Sequence, residues 1–200
     1  MAGVTKLVPR TQRNGSMGTR MGTAEQSRVM AELLSACAEG DRLAFRRFYD
    51  LSARYVFGVV LAILRDREMA AEVAQETYVR IWKRAGQFQS ACGNPLSWTG
   101  SIARNCAIDR LRAERARGFV EFTDTVPDVV NTPDPAAQTL DSMVIRRVLH
   151  DLRPEYREAL LLCYFQGYTY IELASVMDVP VGTAKSWVRR GLAAMKEAMI

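Results

Sequence analysis

The sequence predicts an all-α protein of two small helical domains joined by an acidic flexible linker. Apolar residues recur at helical spacing on both sides of the chain's middle, and neither side shows the alternation typical of a strand. Residues 118–141 separate the two sides with five acids, no base and three prolines. With 200 residues and 48% apolar content, the chain can bury a core, which excludes a disulfide-stabilised miniprotein and a wholly disordered chain.

Composition excludes several classes of protein. The formal net charge of +5 favours an anionic partner without identifying it. Four cysteines occur singly beside one histidine, His150, so the usual zinc spacings are absent and we expect no metal or cofactor. The longest apolar stretch, residues 56–64, is far shorter than the roughly 20 residues of a membrane span. We therefore expect a cytoplasmic protein with no direct membrane insertion.

Catalytic patterns are missing from the sequence. A single histidine leaves one possible base for the usual triads, and neither a G-x-S-x-G motif nor a phosphate-binding glycine loop is present. The sequence therefore predicts a protein that is not an enzyme, with no catalytic residues.

The chain divides into four segments. Residues 1–24 form a basic tail without apolar periodicity, and residues 25–117 form the first helical domain. The acidic linker spans 118–136, and the second helical domain spans 137–200. In the first domain, five apolar residues lie within an arc of about 80° on one helix: Phe45, Phe48, Val56, Val59 and Ile63.

Two further helices of the first domain have recognisable starts. Asp66 is placed to cap a helix running from Arg67 to Arg84, and Asn94 to cap one that has Pro95 at its first position. The first of these helices presents an acidic outward face that contains apolar side chains, which indicates a protein interface. Its alternative is a solvated face with an ion pair between Glu76 and Arg80. The outward residues are Glu72, Gln75, Glu76 and Val79, with Trp82 at the edge.

The helix that follows Pro95 carries a different surface. Trp98, Asn105, Asp109 and Arg112 share one stripe, and residues 99–117 have a net charge of +3. Aromatic rings, an amide and arginines suit single-stranded nucleic acid, because bases stack on rings while cations follow the phosphates. A core tryptophan with a surface ion pair between Asp109 and Arg112 explains the same pattern.

The second domain contains a predicted helix-turn-helix. Pro154 opens a helix that Gly167 is placed to close, and Thr169 with Glu172 fits a capping box at the start of a short helix. Residues 178–180 break that helix, with Asp178 where a left-handed conformation is needed, and a new helix begins around residues 182–183.

The last helix has two contrasting faces. Ala184, Val188, Gly191, Leu192, Met195 and Met199 fall within about 100° of arc and form the predicted inner face. Basic and polar side chains lie opposite, as a helix that enters the major groove requires. An ordinary solvated helix is the alternative. The outer residues are Lys185, Ser186, Arg189 and Arg190.

In this order, the motifs resemble those of the extracytoplasmic-function sigma factors of bacterial RNA polymerase. The resemblance covers about residues 35–197 and rests on DREMAAEVAQETYVRIW, PLSWTGSIARNCAIDRLR, and LRPEYREALLLCYFQGYTYIELASVMDVP with VGTAKSWVRRGLAAMK. It implies a region-two-like helical bundle and a region-four-like helix-turn-helix domain. It also implies a sigma factor that directs core polymerase to specific promoters, assists melting of the −10 element and is held inactive by an anti-sigma factor.

The resemblance assigns roles residue by residue. The surface that would dock on the clamp of the largest polymerase subunit comprises Asp66, Glu72, Gln75, Glu76, Val79 and Trp82. The residues that would read the −10 element, partly in a loop that holds a flipped-out base, are Phe88, Gln89, Ser90, Trp98, Arg104, Asn105, Asp109 and Arg112. Those that would read the −35 element are Gly182, Thr183, Lys185, Ser186, Arg189 and Arg190.

Trp187 departs from the family pattern, where many relatives have arginine, so we expect it to pack and assign it no base contact. The competing interpretation of the whole chain is a free-standing helix-turn-helix regulator that binds operator DNA without polymerase.

Overall fold

The computed structural model describes residues 23–89, 93–118 and 147–198. Within these ranges every regular element is helical, as the sequence predicts. The first domain contains α1 (Thr23–Ala38), α2 (Arg42–Leu64), α3 (Arg67–Arg84), a 3-10 turn at Ala85–Gln87 and α4 (Pro95–Ala116). The second contains a helical stretch at 147–151, α5 (Pro154–Phe165), α6 (Tyr170–Val176) and α7 (Val181–Ala198).

Helix starts in the first domain are set by side chains that bind unpaired backbone N–H groups. The Asp41 carboxylate accepts from two amides of the first turn of α2, at 2.7 and 3.1 Å. Asp66 accepts from the Met69 amide at 2.7 Å, and Asn94 from the Leu96 amide at 2.8 Å. The predicted starts of α3 and α4 are therefore confirmed.

The core of the first domain lies around α2, which packs against α1, α3 and α4. Phe48, Val56 and Val60 on α2 are fully buried, whereas Phe45 and Val59 are half-buried at the edge of the same face. One polar link crosses this core: the hydroxyls of Ser52 and Tyr78 lie 2.8 Å apart. Burial raises the pKa of Tyr78, so the phenol stays protonated and can share that hydrogen bond.

The second domain packs α5 closely against α7. A Cβ built on Gly191 of α7 would lie 2.6 Å from Leu160 Cδ1 and 3.3 Å from the Tyr156 carbonyl oxygen of α5. Only glycine fits this crossing without displacing its neighbours. Leu192 was predicted on the inner face but is 51% exposed, because the crossing places Gly191 at the contact and turns the next residue toward solvent.

Two predicted segments and one predicted inner-face residue fall largely outside the described residues. The tail at 1–24 lies outside the described residues, except that residues 23 and 24 begin α1 and so do not belong to a tail. The linker at 118–136 is described only at Gly118, and Met199 is outside the described residues.

The turn between α5 and α6 ends one helix and starts the next. Gly167 has a φ of +69°, and Thr169 then caps α6. The Glu172 carboxylate accepts from the Thr169 amide at 2.7 Å, while the Thr169 hydroxyl accepts from the Glu172 amide at 3.3 Å. The predicted capping box is confirmed, and the bond from the Thr169 amide lowers the pKa of Glu172.

Replacing the cap should loosen the helix-turn-helix. Thr169→Ala removes the acceptor at the start of α6 and should cost about 1 kcal/mol, which is about a fivefold faster amide exchange across α6. Hydrogen–deuterium exchange of the full chain measures this, with Ser175→Ala, an exposed position of the same helix, as the control. Equal exchange in the two variants would show that the box does not hold α6.

Candidate nucleic-acid and protein interfaces

One face of α3 is turned to solvent and has the mixed character predicted for it. Glu72, Gln75 and Glu76 are exposed, and Val79 beside them is 54% exposed. We call these four residues the α3 surface. The opposite side of the helix is buried in the core. A single exposed valine beside these side chains fits both the predicted protein interface and an ordinary solvated face.

Two residues assigned with this surface also have structural contacts. Trp82 is half-buried, and its ring packs edge-on against Phe45 with 5.1 Å between centroids. Asp66 caps α3 through the Met69 amide. Both contacts help to hold α3 in place, and Asp66 itself is exposed at the start of the helix.

Ion pairs join α3 to α4. Arg80 Nη1 lies 3.0 Å from Asp109 Oδ2, and Arg110 Nη2 lies 3.3 Å from Glu72 Oε2. The hydrogen bond to Asp109 raises the pKa of Arg80. Both surface pairs considered from the sequence, Glu76 with Arg80 and Asp109 with Arg112, are therefore wrong. The reason is geometric: adjacent helices bring these charges closer than the spacing within one helix does.

An open pocket lies where the chain passes from the 3-10 turn into α4. Its volume is about 320 Å³, and the rings of Phe88 and Trp98 meet edge-on in its wall with 5.6 Å between centroids. Gln89 and Asn94 also line it. The structure thus brings together three of the residues predicted to read DNA here, while Ser90 lies outside the described residues.

The rest of the predicted stripe on α4 divides into exposed and engaged residues. Asn105 is exposed, and Asp109 is held by Arg80. Arg104 donates to the Cys163 and Tyr164 carbonyls at 2.7 and 3.0 Å, and Arg112 donates to the Gly167 carbonyl at 2.7 Å. These contacts to the end of α5 were missed from the sequence, since no local pattern links residues so far apart.

The outer face of α7 is basic and accessible. Gly182, Lys185, Arg189 and Arg190 are exposed, and Thr183 and Ser186 are half-buried. Arg190 Nη1 donates to the Tyr156 hydroxyl at 3.3 Å, which lowers the pKa of that phenol.

The geometry of α6 and α7 is that of a helix-turn-helix. Asp178 has the predicted left-handed conformation, with φ +50°, and the buried Ala174, Ala184 and Val188 join the two helices. Trp187 is half-buried against this core, in agreement with the expectation that it packs.

The described residues lack two other kinds of site. Across 23–89, 93–118 and 147–198, no three His, Cys, Asp or Glu side chains are grouped as metal ligands. None of the helices in those ranges combines the length and apolarity needed to cross a bilayer. Burial raises the pKa of the thiols of Cys37 and Cys163, which lowers their reactivity.

Comparison with known proteins gives matches on both domains. Residues 48–117 match the family model of Sigma-70 region 2, and residues 142–195 match that of Sigma-70, region 4. The chain is 32% identical over 186 residues to the ECF RNA polymerase sigma factor SigK of Mycobacterium tuberculosis, strain Erdman, covering 89% of this chain and 97% of that protein. A SigK from Mycobacterium sp., strain KMS, is 32% identical over 177 residues, covering 84% and 89%.

Two solved structures were also found. One is CnrH in complex with the cytosolic domain of CnrY, with 18% identity, 86% and 97% coverage and a TM-score of 0.39. The other is the sigma factor RpoE in complex with the anti-sigma factor NepR from Bartonella quintana, with 22% identity, 78% and 96% coverage and a TM-score of 0.36.

Proposed function

This chain belongs to the extracytoplasmic-function sigma factors, and on that premise we propose that it directs core RNA polymerase to specific promoters and assists in melting them. The observation that carries the proposal is the pairing, in one chain, of a region 2 match with a region 4 match. A free-standing regulator needs only a helix-turn-helix, so the region 2 match does not favour that alternative. We place the protein in the cytoplasm with the polymerase, as an initiation factor and not an enzyme.

The α3 surface is the proposed contact with the clamp of the largest polymerase subunit. Its acids and Gln75 are accessible, and Val79 supplies an apolar contact. Arg110 holds Glu72 from the neighbouring helix, which orders one edge of the surface before binding. Gln75 and Glu76 lie beyond that pair and are the residues best placed to bind a basic partner.

The pocket and the exposed residues of α4 are the proposed reader of the −10 element. Phe88 and Trp98 provide ring faces and edges against which an extruded base can pack, and Gln89 and Asn94 provide amides in the same wall. Extruding a base costs a few kcal/mol, which such stacking and cationic contacts to the backbone offset. On α4, Asn105 is the exposed amide proposed to contact the single DNA strand, and Arg104 and Arg112 are the cations proposed to contact its phosphates.

The outer face of α7 is the proposed reader of the −35 element. Lys185 and Arg189 project from the first half of the helix, where a recognition helix meets base edges. Arg190 donates to the Tyr156 hydroxyl of α5, and its proposed role is a contact with the phosphate backbone beside the recognition helix.

An anti-sigma factor is the proposed inhibitor. The chain exposes two surfaces that must both be free during initiation, the α3 surface and the outer face of α7. A partner that covers either one stops transcription. An interface of more than about 1,000 Å² would be needed for a stable complex of this kind.

Substitutions on the α3 surface test polymerase docking. Gln75→Ala and Glu76→Lys should weaken binding to core polymerase at least about tenfold, which corresponds to about 1.4 kcal/mol, because both change accessible side chains of the contact. Fluorescence anisotropy of the labelled full chain against core enzyme measures the affinity. Asp50→Lys, an equal charge change at an exposed position of α2, is the control. The docking assignment is wrong if both variants bind as the control does.

Two substitutions separate the proposed DNA readers. Arg189→Ala should weaken use of the −35 element by about 1–3 kcal/mol, the value of one good base contact, while leaving strand opening on a promoter already bound. Asn105→Ala should impair opening instead, as measured by permanganate footprinting. Lys196→Ala, at the far end of α7, controls for loss of charge. Normal opening with Asn105→Ala would remove that residue from the reader.

A further inference from the structure

We propose that the free protein closes on itself, with three arginines of α4 held by the end of α5 so that the second domain masks the −10 surface. The contact joins Arg104, Arg112 and Arg115 to main-chain carbonyls between residues 163 and 167. We call it the arginine clamp. The proposal rests on the function proposed above, since it concerns the control of the same DNA surface.

The clamp consists of five hydrogen bonds, all from guanidinium groups to backbone oxygens. Arg104 donates from Nη2 to the Cys163 carbonyl at 2.7 Å and from Nε to the Tyr164 carbonyl at 3.0 Å. Arg112 places Nη2 and Nε on one oxygen, that of Gly167, at 2.7 and 3.2 Å. Arg115 donates to the Gln166 carbonyl at 2.6 Å.

The position of these carbonyls explains why arginines bind there. The Cys163 and Tyr164 carbonyls belong to the last turn of α5, so they have no partner within the helix and carry the partial negative charge of its terminus, and the Gln166 and Gly167 carbonyls follow directly after that turn. A guanidinium group provides both hydrogen-bond donors for these carbonyls and a positive charge beside the helix terminus. Two rings add to the attraction: Arg104 Cζ lies 4.5 Å from the Tyr164 ring centroid, and Arg115 Cζ lies 5.6 Å from that of Tyr168.

Close packing at one glycine accompanies the hydrogen bonds. Gly167 is buried, and a Cβ built on it would lie 2.8 Å from both Cδ1 and Cγ2 of Ile108 on α4. The second domain can therefore approach α4 this closely only if residue 167 has no side chain. The same residue needs a positive φ to end α5, so glycine serves the turn and the docking together.

The backbone carbonyls at the end of α5 and the phosphates of the DNA strand would compete for the same guanidinium donors. Arg104 and Arg112 are the cations proposed to follow the −10 strand, and a guanidinium that faces a carbonyl cannot face a phosphate in the same direction. DNA must displace the second domain from α4 before these arginines reach the strand. A polymerase that held the two domains at separate promoter elements would then also release the −10 surface.

A steric substitution tests the clamp without removing any proposed DNA contact. Gly167→Asn adds a side chain against Ile108, and asparagine tolerates the left-handed conformation better than other residues. Gly40→Asn is the control, because Gly40 also has a positive φ, +90°, but has nothing within 4 Å of a built Cβ. Adding Ile108→Ala to Gly167→Asn removes both clashing atoms and should restore docking.

Two measurements on the full chain report the result. Small-angle X-ray scattering should give a larger radius of gyration for Gly167→Asn than for the parent and Gly40→Asn, with a return toward the parent value in the double variant. Anisotropy with a fluorescein-labelled twelve-nucleotide oligo(dT) should show tighter binding. If the open form is about 10% populated in the parent, releasing it strengthens apparent binding about tenfold.

Each contrary outcome overturns a defined part of the proposal. An unchanged radius of gyration would show that the domains are not docked in solution. An increased radius with unchanged oligo(dT) affinity would show that docking does not mask the arginines. Arg115→Met removes one clamp donor outside the proposed −10 set and should also expand the chain, so it tests the clamp even if Gly167→Asn fails to fold. The proposed function stands or falls separately, on promoter-specific transcription with core polymerase.

Discussion

The architecture depends on how the backbone groups at helix ends find partners. Helix starts solve this problem locally: Asp41, Asp66, Asn94 and Thr169 each cap the helix that follows them. The end of α5 does not, because its carbonyls are satisfied by side chains from another helix of another domain. At the other helix ends named here, unpaired backbone groups find partners nearby in the sequence. At the end of α5, the side chains that supply these partners also form a contact between the two domains.

Charge pairing divides the first domain's surface into engaged and available residues. Arg80 on α3 pairs with Asp109 on α4, and Arg110 on α4 pairs with Glu72 on α3. Each acid therefore exchanges part of its contact with water for contact with a guanidinium group. Gln75, Glu76 and Val79 remain accessible on α3, and Asn105 on α4. Exposed pairs of this kind contribute little to stability, about 0–1 kcal/mol each. Their importance lies in orienting the two helices and in defining which side chains a partner meets.

Local chemistry made much of this structure predictable. Helix starts at residues 67 and 95, the capping box and the left-handed Asp178 all depend on residues within a few positions of one another, so the sequence alone identifies them. Errors arose where distant residues meet. The partners of Arg80 and Asp109, the exposure of Leu192 and the arginine clamp follow from the packing of helices that the sequence does not place side by side.

The ion pairs between α3 and α4 also help to fix the distance between the α3 surface and the Phe88–Trp98 pocket. The shared core and these two bridges join the α3 surface and the Phe88–Trp98 pocket into one rigid unit. If polymerase binds the α3 surface as proposed, it would hold the Phe88–Trp98 pocket at a set separation from its own catalytic centre. On that proposal, the dimensions of the first domain would set where the strands separate, and with it the first nucleotide of the transcript.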